Sequence, residues 1–264
     1  MEPRAFTRTR FRVVLADNSD CDHWAGGKPY HAGARCPNCK IPLLLLWDIN
    51  CKDPRFPRNK FGKLKRLPLY FCWGCVSEIA YQVVQEDQIE IHSSIQNEGL
   101  SFPYDPYPEF FQRRGLQFFT GIPDEIQRIY HELIARWRTA DDDGPVPRPS
   151  VADRKKLAQF FGHPVVLPRC FFHHQLGGKP IVDNWAHEVF LCPNPGCEGT
   201  VLDRMLSRKR AMKFLAGVLN DPWAGLPLVD EADEDTRKHW NYHVTVQYHI
   251  CDCCFTVLAC NRCN

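Results

Sequence analysis

Cysteine is the residue type whose number and spacing in this chain suit chemistry. The sequence ends in "YHICDCCFTVLACNRCN", five cysteines within seventeen residues. Two readings compete: a reactive, disulfide-forming tail, or half of a metal site whose other half lies far back in the chain. Short cysteine pairs also stand in "CPNC" (Cys36, Cys39), "CWGC" (Cys72, Cys75) and "CPNPGC" (Cys192, Cys197). Zinc favours four ligands in a tetrahedron, and two short pairs brought together from separate turns supply four thiolates in that arrangement. Cys36-x2-Cys39 and Cys72-x2-Cys75 enclose 32 residues, and Cys192-x4-Cys197 and Cys251-x2-Cys254 enclose 53. The spacing therefore predicts two structural Zn2+ sites, with Cys251 and Cys254 completed by Cys192 and Cys197. Proline or glycine inside three of the pairs suits tight turns whose backbone N–H groups can point at the sulfurs.

Compartment decides between the two readings. The first twenty residues, "MEPRAFTRTRFRVVLADNSD", are charged throughout and contain no apolar stretch of the length a secretory signal or a membrane span needs. The expected location is the cytoplasm, where thiols are kept reduced and paired cysteines mean metal or catalysis more often than structural disulfides. The remaining cysteines have other readings. Cys253 stands between two predicted ligands and is an alternative for either. Cys260 and Cys263 in "CNRC" fit buried thiols, an extra metal site or a redox couple, and the isolated Cys21, Cys51 and Cys170 fit small core residues.

Charge limits the partners. Lys+Arg 33 against Asp+Glu 31 gives a formal +2, and two four-thiolate zinc sites would bring the folded chain to about −2. Such a balance leaves no excess of positive charge to attract nucleic acid or a membrane surface. Motif searches for catalysis are negative. "HELIA" at His131 and "HEVFL" at His187 lack the second histidine of H-E-x-x-H, no G-x-S-x-G occurs, and GGKP lacks the spacing of a phosphate loop. His173 and His174, near His163 and His187, form the one histidine cluster; adjacent side chains on a strand point to opposite faces, so at most one of the pair could serve a common site. The expectation is a protein that is not an enzyme.

The elements that must hold the cysteines repeat. "HWAGGKPYHAGARCPNCKIPLLLLWDI" has a partner in "HQLGGKPIVDNWAHEVFLCPNPGCEGTVL". Each runs through GGKP to a cysteine pair, and each is followed by an apolar strand entering a second pair, "LPLYFCWGC" or "VTVQYHICDCC". The ordered set predicts a duplicated module. Gly26, Gly27 and Pro29, and their counterparts Gly177, Gly178 and Pro180, are expected to form tight structural turns. "RTRFRVVLAD", "IPLLLLWDI", "LPLYFCW" and "IAYQVVQEDQIEIH" read as strands. "PDEIQRIYHELIARW" has Ile126, Ile129, Tyr130, Leu133, Ile134 and Trp137 at helical spacing, behind Pro123. "TADDDGPVPRPS" reads as linker, and "VADRKKLAQFF" as a helix with a capping box at Ser150 and Asp153 and a stop at Gly162. "DRMLSRKRAMKFLAGVL" reads as a helix with Leu202, Met205, Leu206, Met212, Leu215, Val218 and Leu219 inward. Its Arg204, Arg208, Lys209, Arg210 and Lys213 form a solvated basic face or, as the sharper alternative, a contact for an acidic partner.

These assignments predict an α+β fold of antiparallel twisted sheets in two duplicated halves. Residues 1–120 and 163–264 each carry a four-cysteine zinc site, and a helical linker region, 121–162, joins them. "GGKP" followed by "CPNCKIPLLLLWDI" and "LPLYFCWGC" resembles the YwqG-like family of bacterial proteins, and more distantly the N-terminal region of eukaryotic programmed cell death protein two. "MKFLAGVLNDPWAGLPL" and "YHICDCCFTVLACNRC" are similar to the matching later segments. The resemblance covers most of the chain outside the central helix and linker. Many bacterial members lack some or all of the cysteines, so zinc rests on this chain's own spacing. The resemblance implies cytoplasmic residence and protein binding: an immunity protein that neutralises a cognate toxin, or a chaperone that holds a ribosomal or other client protein. A zinc-dependent enzyme is the third reading.

Overall fold

The computed structural model describes residues 6–7, 9, 11–16, 21–56, 60–72, 74, 76–96, 109–120, 125–126, 128–129, 132, 150–161, 175–178, 190–197, 211–220 and 244–263. Strands follow the runs of branched and aromatic residues. They are β1 (Phe11–Ala16), β2 (His23–Gly27), β3 (Leu44–Asn50), β4 (Arg66–Phe71), β5 (Val76–Gln85), β6 (Gln88–Gln96), β7 (Phe111–Phe119), β8 (Gln175–Leu176), β9 (Lys213–Asn220), β10 (Val244–Ile250) and β11 (Val257–Cys263). Among the described residues all eleven join one sheet, in the order β4-β3-β2-β7-β1-β8-β9-β10-β11-β5-β6. Neighbours pair antiparallel throughout. The sheet curls into a half-barrel.

The antiparallel β character agrees with the sequence reading, but strands from residues 1–120 and 163–264 lie in one continuous sheet rather than two. β1 joins them at one place, pairing β7 on one side and β8 on the other. β11 joins them again, pairing β5. The hairpin β5–β6 is therefore the far end of a sheet whose other end is β4, its neighbour in sequence. "IAYQVVQEDQIEIH" is two strands turned at Glu86 and Asp87, not one.

Curling brings the two ends together, and buried tyrosines tie them. The Tyr81 hydroxyl of β5 accepts the Tyr70 N–H at 2.7 Å and donates to the Pro68 carbonyl at 2.9 Å, both on β4. Pro68 suits this place because an edge strand needs no outward donor there. The segment between β2 and β3 crosses the same seam. Ala32 donates its N–H to the Asp87 carbonyl at 2.7 Å and accepts the Ile89 N–H at 2.9 Å, while the Tyr70 hydroxyl accepts the Tyr30 N–H at 3.3 Å. Trp47, Tyr70, Tyr81, Tyr248, Phe11, Phe71 and Phe214 are the large side chains of the interior, all fully buried.

Residues 213–219 correct the reading of a helix. Lys213–Asn220 is strand β9, paired with β10 on one side and β8 on the other. Phe214, Leu215, Ala216, Gly217 and Val218 are all buried, so the strand is covered on both faces and shows no alternation. A continuous apolar run of that kind cannot be told from a buried helix by period, and Leu215 and Val218 happened to fit a helical stripe. Leu202, Met205, Leu206, Arg204, Arg208, Lys209 and Arg210 lie outside the described residues; the basic face loses Lys213, which pairs with Asp252.

The helix Val151–Phe161 is as expected. The Ser150 hydroxyl accepts the Asp153 N–H at 3.1 Å and donates to the Asp153 carboxylate at 2.7 Å. Residues 125, 126, 128, 129 and 132 are helical, with Ile126 and Ile129 buried, and Glu125 pairs with Lys156 of the following helix. Tyr130, Leu133, Ile134, Trp137, the segment 139–149 and Gly162 lie outside the described residues. No helix among the described residues is long and apolar enough to cross a membrane.

Candidate metal centres

Two loops carry the cysteine pairs to a common design. In the loop after β2, the Cys36 N–H donates to the Ile41 carbonyl at 2.9 Å and the Lys40 N–H donates to the Cys36 carbonyl at 3.0 Å. In the turn between β10 and β11, the Cys251 N–H donates to the Thr256 carbonyl at 2.9 Å and the Phe255 N–H to the Cys251 carbonyl at 3.0 Å. The residue after the second cysteine is left-handed in both, Lys40 at φ 64° and Phe255 at φ 59°. Each loop thereby turns two sulfurs toward one point. The repeat in the sequence aligned "CPNC" with "CPNPGC", yet its conformational twin is "CDCC", which has neither proline nor glycine.

The arm Cys192–Cys197 closes differently. The Asn194 side-chain carbonyl accepts the Gly196 N–H at 2.8 Å, and the Cys197 N–H donates to the Asn194 backbone carbonyl at 3.1 Å. Leu191 bridges Ala211, and the Met212 N–H donates to the Phe190 carbonyl at 2.8 Å, so β9 carries this arm to the β10–β11 turn.

The sulfurs of Cys192, Cys197, Cys251 and Cys254 all lie within 4.8 Å of one another. Cys192 and Cys254 are 3.6 Å apart and Cys197 and Cys251 3.7 Å. Zinc–sulfur bonds of about 2.3 Å at tetrahedral angles require sulfurs about 3.8 Å apart, whereas a disulfide requires about 2 Å. The donor set therefore fits a four-coordinate ion and not a pair of disulfides. Without a cation the four cannot all ionise. Hydrogen bonds to Cys251 and Cys254 hold the Cys192 proton, and burial pushes the Cys197 thiol up to about 12. Cys254, hydrogen-bonded by Cys192, Cys251 and Thr256, is the sulfur held well below the ordinary thiol range. An ion here displaces protons, so its affinity falls with acidity.

At the other site the sulfurs of Cys36, Cys39 and Cys72 meet the same 4.8 Å limit, with Cys39 and Cys72 at 3.7 Å. Cys36 and Cys72 are buried and Cys39 is exposed. Cys75 lies outside the described residues. Both clusters could thus bind metal ions such as zinc, one with four cysteines and one with three described ones.

Other predicted positions sort clearly. Gly26, Gly27, Gly177 and Gly178 all have positive φ, at 67°, 99°, 67° and 67°. A Cβ on Gly26 would stand 2.4 Å from the Gln112 carbonyl oxygen, and one on Gly177 1.9 Å from the Thr7 hydroxyl. Pro29 is half-buried beside the first pair; Pro180 lies outside the described residues, as do His163, His173, His174, His187 and Cys170. Cys253 is exposed and belongs to neither cluster. Cys51 is a core thiol that burial pushes up to about 12, and Cys21 is half-buried. Cys260 packs in an apolar cluster with Ala80, Cys192, Met212, Cys251 and Leu258.

Sequence reasoning missed His23, Asp53 and Arg55. The buried His23 accepts the Asn50 N–H on Nδ1 at 3.1 Å, so Nε2 carries the proton and donates to Asp53 at 2.6 Å. Arg55 binds the same carboxylate and donates to the Phe118 carbonyl at 3.1 Å. Burial alone would raise the Asp53 carboxyl, but bonds from Arg55 and His23 outweigh it and bring it to about 2. Burial lowers His23, against the pull of Asp53. An acid–base pair would need a free imidazole nitrogen, and a backbone amide occupies it, so this triad locks β2 to the loop after β3. No local spacing announced it, since His23 comes from β2 and the Asp53–Arg55 pair from the loop after β3. No family model, curated protein or solved structure matches the chain.

Proposed function

We propose that the chain is a cytoplasmic, zinc-stapled protein-binding module of the YwqG-like kind, built from two duplicated halves, 1–120 and 163–264, around the region 121–162. Its activity is that of an immunity protein that binds and neutralises a cognate toxin. The observation that carries the scaffold role is the set of four clustered sulfurs from Cys192, Cys197, Cys251 and Cys254, two of them buried and two half-buried. When all four positions of a tetrahedral ion are taken by the protein, none is left for substrate or a reactive water. Stiffness is what such a site supplies, and a rigid surface loses little ordering entropy when it docks.

Two further features support this reading. One glycine pair ends strand β2 and the other follows strand β8, and both have positive φ, as repeated modules would require. Among the described residues the histidine closest to a carboxylate, His23, has both nitrogens engaged in the fold. For docking, an open cleft of about 290 Å³ beside the seam exposes Tyr30 and Val84 over Leu64, Arg66 and Val83.

Co-expression with candidate secreted toxins encoded by neighbouring genes tests the assignment. The expected result is growth rescue and a stable complex, weakened by Tyr30→Ala or Val84→Asp. A ribosomal protein as the stoichiometric partner would replace immunity with chaperone action, and the absence of any protein partner in native capture would reject protein binding.

A further inference from the structure

The two clusters are built to different standards. The Cys36–Ile41 loop is held on its outer side by contacts open to water: Arg35 donates to the Lys40 carbonyl at 3.1 Å, and the Lys40 ammonium folds back on the Pro37 carbonyl at 2.5 Å. Exposed contacts of this kind contribute little and open readily. Cys39, at the tip, is exposed.

The other cluster is enclosed. None of its four cysteines is exposed, and Ala80, Met212, Leu258 and Phe190 pack against it. The Thr256 hydroxyl, fully buried, sits 3.1 Å from the Cys254 sulfur. The Asn194 amide donates to that hydroxyl at 3.2 Å and to the Gln82 carbonyl at 2.9 Å, and the Gln82 amide donates to the Cys254 backbone carbonyl at 2.6 Å. Outer partners of this sort orient ligands, and losing them typically weakens a metal site about 10- to 100-fold.

We infer that the site of Cys36, Cys39 and Cys72 is an exchangeable, oxidant-sensitive metal position with Cys39 as the sulfur that reacts first, while the site of Cys192, Cys197, Cys251 and Cys254 holds its ion permanently. This rests on the metal reading above and adds regulation to it. The oxidant is a peroxide. The Cys39 thiolate attacks one peroxide oxygen, the O–O bond breaks and hydroxide leaves, giving a sulfenic acid. A second ligand sulfur, Cys36 or Cys72, then attacks that sulfur and expels the remaining oxygen as hydroxide or water. Two sulfurs lose one electron each, the peroxide gains two, and Zn2+ leaves unchanged in charge.

The test uses the full zinc-loaded chain, hydrogen peroxide, a chromophoric zinc chelator, and differential alkylation read by mass spectrometry. About one equivalent of zinc should leave at least about tenfold faster than the second, with Cys36, Cys39 and Cys72 modified while the other four ligands stay protected. Cys253, exposed and outside both clusters, should be alkylated from the start and serves as the internal control. Simultaneous release, or earlier modification of the Cys192 set, would overturn the inference. A chain that carries no zinc at the outset would instead overturn the metal reading itself. Asn194→Ala and Gln82→Ala should speed release of the second equivalent and leave the first unchanged; equal effects on both would contradict the assigned asymmetry.

Discussion

Lys40 and Phe255 each hold a left-handed backbone, which disfavours a residue with a Cβ by about 1 kcal/mol. Their loops keep that geometry because it aims two sulfurs inward. The cysteines themselves were legible, since ligand spacing is written locally. The left-handed positions were not, because neither lysine nor phenylalanine signals them. The glycine pairs were legible for the same local reason and give a sharp prediction. Gly177→Ala would set a Cβ against Thr7 at a φ of 67°, and should destabilise by about 2 kcal/mol in urea unfolding. The triad of His23, Asp53 and Arg55 was illegible because His23 meets the local Asp53–Arg55 pair only in the fold. Asp53 has a folded value of about 2 against an ordinary 3.8, so its contribution, about 2 kcal/mol, is complete above 3.8 and is lost as pH falls through 2. Asp53→Asn should therefore cost about that much at pH 7 and progressively less below pH 4 when unfolding of the two proteins is compared. A penalty independent of pH would show that the charge is not what Asp53 supplies.

Strands with turn boundaries were read correctly from β1, β3 and β4, where apolar runs end in polar turns, while the β5–β6 hairpin was read as one run because its turn at Glu86 and Asp87 carries neither glycine nor proline. β9 was not, because a strand covered on both faces loses its period, and only the paired strands β8 and β10 reveal its state. Which strands become neighbours was equally hidden. β4 and β5 are adjacent in the chain yet sit toward opposite ends of the sheet, and their contact is made by the Tyr81 hydroxyl. Tyr81→Phe should leave the Tyr70 N–H without that acceptor, with a cost of about 1 to 3 kcal/mol. Hydrogen exchange at Tyr70 should quicken more than at strands far from the seam; uniform quickening would mean that the hydroxyl does not close it.

At the scale of the molecule, the two cysteine clusters are carried by one continuous sheet. The Phe255 ring, carried by the β10–β11 turn, packs against Gly62, and Gln82 of β5 binds Cys254, so the cluster of Cys192, Cys197, Cys251 and Cys254 is embedded in both parts of the chain. The sequence suggested halves that could lose structure separately. The continuous sheet predicts instead that Cys36→Ser with Cys72→Ser lowers the melting temperature of the whole chain in one calorimetric transition. Two separated transitions would favour independent halves. The central claim is that the clustered sulfurs bind metal, and native mass spectrometry of freshly purified, untagged protein with elemental analysis tests it most directly. The account predicts two zinc ions per chain, with Cys192, Cys197, Cys251 and Cys254 alkylated only after chelation. A metal-free folded chain whose clustered cysteines react at once would contradict it.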